Sequence, residues 1–124
     1  MPDTDDLWPA NIADTSLTTP ITILKQQAAL LGQKTQQLAT GEVTTQTTGN
    51  LFVHSFRIVA PTLSYRFELF QASHGVSFYP LTIRYLNQPI MVTSEAEFRD
   101  KLKEIFASQA TLNIVQSIVS QSRS

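Results

Sequence analysis

The chain has 124 residues, no cysteine and a formal net charge of −1, with charged residues making up 15% of it. That length suits one domain able to bury a core without staples. The missing cysteines exclude disulfides, thiolate metal sites and cysteine nucleophiles, and the near-zero charge excludes the broad basic field that most nucleic-acid binders carry.

The charge is unevenly placed. Residues 1–18 hold Asp3, Asp5, Asp6 and Asp14 and no Lys or Arg, so the remainder carries 9 basic against 6 acidic side chains. This acidic stretch, with Pro2 and Pro9 and no sustained periodicity, is expected to be a flexible leader, with Trp8 able to dock on the domain. It lacks the basic and apolar regions of a signal peptide, and no apolar run is long enough to span a bilayer. A cytoplasmic protein with no membrane partner is expected.

A single domain is expected over residues 19–124. Thr19-Pro20 is a helix start signal. Leu24, Ala28, Leu31, Thr35 and Leu38 then share one face at helical spacing, with Gly41 placed to cap the end. From Glu42 the period becomes two and β-branched and aromatic residues dominate. Strands are predicted at Glu42–Thr48, Leu51–Ala60, Leu63–Ala72 and Val76–Tyr85, with Ile90–Val92 as a short addition. Gly49-Asn50 and Pro61-Thr62 supply two-residue turns, and Ser73-His74-Gly75 a three-residue one.

Register follows from keeping apolar residues on one face. Pairing Val59 with Ser64 sets Ile58 opposite Tyr65, Phe56 opposite Phe67 and His54 opposite Leu69. The next hairpin then sets Leu69 opposite Tyr79 and Phe67 opposite Leu81. Pro80 marks an edge or a bulge. Ser94-Glu95-Ala96-Glu97 is a capping box ahead of the apolar stripe Phe98, Leu102, Ile105 and Phe106. A second stripe, Leu112, Val115, Ile118 and Val119, is out of phase with the first, so a break is expected near Ser108. The fold class is α+β: a four-stranded antiparallel meander flanked by an N-terminal helix and one kinked or two C-terminal helices.

The segment Thr19-Pro20-Ile21-Thr22-Ile23-Leu24-Lys25-Gln26-Gln27-Ala28, with the later Val59-Ala60-Pro61 turn, resembles small bacterial proteins of unknown function built as a helix, an antiparallel meander and a C-terminal helix. The resemblance spans Thr19 to the end. It implies the fold and no activity, and it transfers no functional residue.

Four scattered glycines make neither a P-loop nor a dinucleotide fingerprint. The two histidines and the dispersed carboxylates lack metal-ligand spacing, so no cofactor and no metal are expected. His54 is placed on the buried face beside Thr45, as a core histidine bonded to a hydroxyl. His74 is placed in a solvated turn.

The outward sheet face is the candidate site: Val53, Arg57, Arg66, Glu68, Phe70, Phe78 and Arg84. In the predicted register Arg57 faces Arg66 and Phe70 faces Phe78, an apolar patch rimmed by arginine of the kind that marks interfaces. The leading reading is a non-enzymatic protein-interaction module, a dimerising accessory, regulatory or inhibitor protein whose partner is a second copy or another protein. In the structural alternative the leader folds over this face. In a second functional reading the same arginines and phenylalanines bind a ligand or single-stranded nucleic acid. The third is a small enzyme using His74 and Glu68.

Overall fold

The computed structural model describes residues 5–14 and 17–124. The chain runs α1 (Pro20–Lys34), β1 (Thr40–Thr48), β2 (Leu51–Ala60), β3 (Tyr65–His74), β4 (Leu81–Tyr85), β5 (Gln88–Val92), α2 (Glu95–Ala107) and α3 (Gln109–Ser122), with a 3-10 turn at Pro61–Leu63. The strands form one antiparallel sheet in the order β1-β2-β3-β4-β5. The α+β meander expected from the sequence is present, with five strands instead of four because the Ile90–Val92 segment extends back to Gln88 and pairs along β4. Among the described residues, no helix is long and apolar enough to cross a membrane.

One core holds the molecule together. Ile23 and Leu24 of α1, Phe56 and Ile58 of β2, Phe70 of β3, Ile83 of β4, Phe98 and Leu102 of α2 and Ile118 of α3 are buried in the same cluster. Burying a side chain of that size stabilises by roughly 1.5–3 kcal/mol. All three helices therefore cover one sheet face, and the strands alternate apolar-in and polar-out as a one-sided antiparallel sheet should.

Helix α1 stops earlier than its apolar stripe suggests. Thr19 caps its start, its hydroxyl accepting from Thr22 N–H at 3.2 Å. At the other end the Thr35 hydroxyl accepts from Ala39 N–H at 3.1 Å and lies 2.9 Å from the Leu31 carbonyl. Gln36 and Gln37 turn left-handed (φ 55° and 65°), and Gln37 N–H donates to the Gly32 carbonyl at 2.8 Å. Gly41 is consequently not a cap. It lies in β1 opposite Ile58. A Cβ there would sit 2.5 Å from Cα of Ala28 and 3.2 Å from a ring carbon of Phe56, so this glycine lets helix and sheet touch.

Two registers differ from expectation. The β2–β3 connection takes a 3-10 turn ending in left-handed Ser64 (φ 50°). Four residues then stand between paired Ala60 and Tyr65, and Val59 faces Arg66 in place of Ser64. A bulge follows: Phe56 faces Phe70 and Arg57 faces Glu68, leaving Leu69 as the extra residue. Further on, β3 runs through His74 and β4 begins at Leu81, so Ala72 faces Ile83 and Ser73 faces Thr82. Pro80 lies in the connection, after a cis peptide bond from Tyr79. The proline inside a strand is Pro89, on edge strand β5, where a missing N–H costs no ladder bond.

The C-terminal helices break at Ser108, where a break was expected. Ser94 caps α2, accepting from Glu97 N–H at 3.2 Å, while the Glu97 carboxylate accepts from Thr93 N–H at 2.7 Å and from its hydroxyl at 2.8 Å. Those two bonds hold the Glu97 carboxyl below its ordinary pKa. Ser108 ends α2 and caps α3, its hydroxyl accepting from Thr111 N–H at 3.3 Å.

Candidate functional site

The open sheet face gathers part of the expected set. Arg57 lies 3.8 Å from Glu42 and 3.6 Å from Glu68, and donates to the Thr44 hydroxyl at 2.8 Å. Arg66 reaches Glu42 at 3.4 Å. Val53 stands between Gln46 and Ser73, and Arg84 faces Gln71. Arg57 and Arg66 are thus matched with carboxylates instead of with each other, while Arg84 stands beside an amide.

The two phenylalanines are not there. The bulge at Leu69 turns Phe70 to the core face, where it is 2% exposed and stacked on Phe56 with ring centroids 5.2 Å apart. Phe78 sits in the β3–β4 connection, edge-on to His74 at 5.9 Å. The expected aromatic patch is therefore a charge-matched polar surface. Among the described residues of the leader, Leu7, Trp8 and Ile12 do not cover it either, being 90%, 71% and 60% exposed.

An exposed apolar concavity lies on the other side. A cleft of about 310 Å³ opens between α1 and α3, floored by Phe56, Ile58 and Leu69 of the sheet and walled by Leu31 and Val115. Leu30 and Leu112 stand at its rim, partly in solvent. It continues past Phe106 into a wider groove between α1 and α2, where Ile23 and Leu102 meet Lys34, Arg99 and Lys103. Lining residues of both parts include no carboxylate. Arg99 is paired with Glu95 at 2.9 Å. Lys34 and Lys103 have no ion pair among the described residues. The surface is apolar at its floor and cationic at one lip.

A buried polar chain crosses the far end of the core. Thr45 Oγ1 lies 2.8 Å from His54 Nδ1, His54 Nε2 lies 2.8 Å from His74 Nε2, and His74 Nδ1 lies 2.6 Å from the Gly75 carbonyl. Both rings are buried. A carbonyl only accepts, so His74 must carry its proton on Nδ1 and accept at Nε2. His54 then donates from Nε2 and accepts the Thr45 hydroxyl at Nδ1. Every polar atom in the neutral chain is satisfied. Burial, and secondarily His74, pushes the His54 pKa down to about 4. The Thr45–His54 bond was expected from the sequence, with Ala72 now opposite His54 in place of Leu69. His74 was expected in a solvated turn and is instead the last residue of β3. Glu68 is ion-paired on the open face while His74 points to the core, so the two do not form a catalytic pair.

Comparisons with protein-family models, with curated proteins and with solved structures return no match. The groove was missed from sequence because its walls come from two separate helical stripes. Each stripe reads as core until the space left between α1 and α3 is known.

Proposed function

We propose that the chain is a non-enzymatic protein-interaction module, a dimerising accessory, regulatory or inhibitor protein, and that it binds through the groove between α1 and the α2–α3 pair. The observation that carries this reading is the groove itself: Leu30, Leu112 and Phe106 line an apolar trough whose lip holds Lys34 and Lys103, neither ion-paired among the described residues. Apolar concavities with a few convergent charges are the usual seats of partner segments. Selection of random dodecapeptides on the folded protein tests it. Aromatic, acidic peptides are expected to be enriched, and Leu112→Lys should abolish their binding. Failure to enrich any peptide, or enrichment indifferent to Leu112→Lys, overturns the reading.

A second reading keeps the open sheet face as a contact for another protein or a second copy. Val53 and Val59, half-buried beside Arg57 without a helix above them, favour it. A Val53→Lys, Val59→Lys variant that folds and assembles like the parent removes it.

A further inference from the structure

Resting on the groove reading, we propose that the segment it receives is the acidic, aromatic leader of a second copy of this chain. The leader is shaped for presentation. Asp6 accepts from Trp8 N–H at 3.0 Å, Ile12 N–H donates to the Pro9 carbonyl at 3.2 Å, and Asp14 N–H donates to the Asn11 carbonyl at 3.0 Å. These local bonds gather residues 6–14 into successive turns, a compact knob. Leu7, Trp8 and Ile12 project from it into solvent, a large apolar area for so short a segment.

The complement is in the same molecule. The groove offers Leu30, Leu31, Phe106, Leu112 and Val115 to the three apolar side chains. Lys34 and Lys103 stand ready for Asp5 and Asp6. The leader is acidic and the domain basic, so opposite charges steer the two together and like charges oppose docking of domain on domain. Mutual exchange of leaders is isologous: each copy gives one knob and fills one groove, and the assembly closes at two.

Trp8 is the only tryptophan, so its emission reports the contact directly. The test follows emission and light-scattering mass of the full chain over a wide concentration range. Emission is expected to shift to the blue as the mass doubles, with the same midpoint. Full-length Lys34→Glu, Lys103→Glu should raise that midpoint by at least about tenfold, the loss expected when the charges around a buried anchor are reversed.

A complementation experiment isolates the trans contact. Full-length Leu7→Ser, Trp8→Ala has a groove and no knob, and full-length Leu112→Lys, Val115→Lys has a knob and no groove. Each should stay monomeric alone. Mixed, they should form a heterodimer with the blue-shifted emission of the one Trp8 present. Blue emission in a monomer at every concentration would mean that the leader fills its own groove, and would overturn the proposal. So would a dimer unaffected by the Leu7 and Trp8 changes, or no change in mass or emission at any concentration. If peptide selection still enriches groove ligands in those cases, the groove reading stands and only the leader assignment falls.

Discussion

His54 and His74 hold a chain of hydrogen bonds that runs in a single direction when both rings are neutral. Adding a proton to His54 at Nδ1 forces the Thr45 hydroxyl to turn round, and the charge stays buried. The unfolded chain takes that proton near pH 6.5, the folded chain only near pH 4. The stability that His54 contributes is therefore complete above pH 6.5 and is lost as pH falls from 6.5 to about 4. That difference corresponds to at most about 3 kcal/mol. Urea unfolding across that range should show the fall, and His54→Leu should flatten it while lowering stability at neutral pH. Two other single side chains give direct checks. Phe70→Ala should cost about 3–5 kcal/mol, the usual loss for a buried phenylalanine, where a surface phenylalanine would cost far less. Gly41→Ala must push apart Ala28 and β1 and should cost about 1–3 kcal/mol as overpacking. The His54–Thr45 contact was legible because the two-residue Gly49-Asn50 turn fixes the β1–β2 register, setting Thr48 opposite Leu51 and so Thr45 opposite His54. His74 was not, since its burial depends on how far β3 runs, and Gly75 reads equally well as the end of a three-residue turn or as the first residue after the strand.

Among the elements, what was legible is what is written locally. Thr19-Pro20 starts α1, Ser94 with Glu97 starts α2, Gly49-Asn50 joins β1 to β2, and the change of phase at Ser108 separates α2 from α3. What was not legible depends on packing. The bulge at Leu69 has no glycine to announce it, and it exists because Leu69 and Phe70, adjacent in sequence, are both buried. A strict alternation would have left one of them in solvent. That single extra residue moved Phe70 off the face where parity had put it. Helix α1 ended early for a similar reason: Thr35 fits the helical stripe but spends its hydroxyl on Ala39. Ser108 joins three elements, capping α3 and sitting 2.9 Å from the Tyr85 hydroxyl of β4. Ser108→Ala should therefore lower stability by about 1–2 kcal/mol in chemical denaturation, at the upper end for a lost cap. Loss below about half a kcal/mol would mean that neither the cap nor the Tyr85 contact contributes.

For the whole molecule, the α+β class and the meander followed from periodicity, and the split between acidic leader and basic domain followed from counting charges. The groove did not, because the distance between helices is a property of the packed sheet beneath them. If leader and groove meet between copies, the contact is partly electrostatic, and raising salt from 0.05 to 0.5 M should weaken assembly by about an order of magnitude. Sedimentation at the two ionic strengths checks this. The chain order of the elements has a further consequence for synthesis. Each strand pairs with the one just made, so the sheet can form hairpin by hairpin as the chain emerges. Helix α1 is already available to cover its part. The side chains that α2 and α3 shield, Phe56, Phe70 and Ile83 among them, must wait until those two helices leave the ribosome. A nascent chain stalled before Glu95 would present a finished sheet with half its oily side bare. Helices α2 and α3 thus decide whether this domain is handed on folded or detained by chaperones.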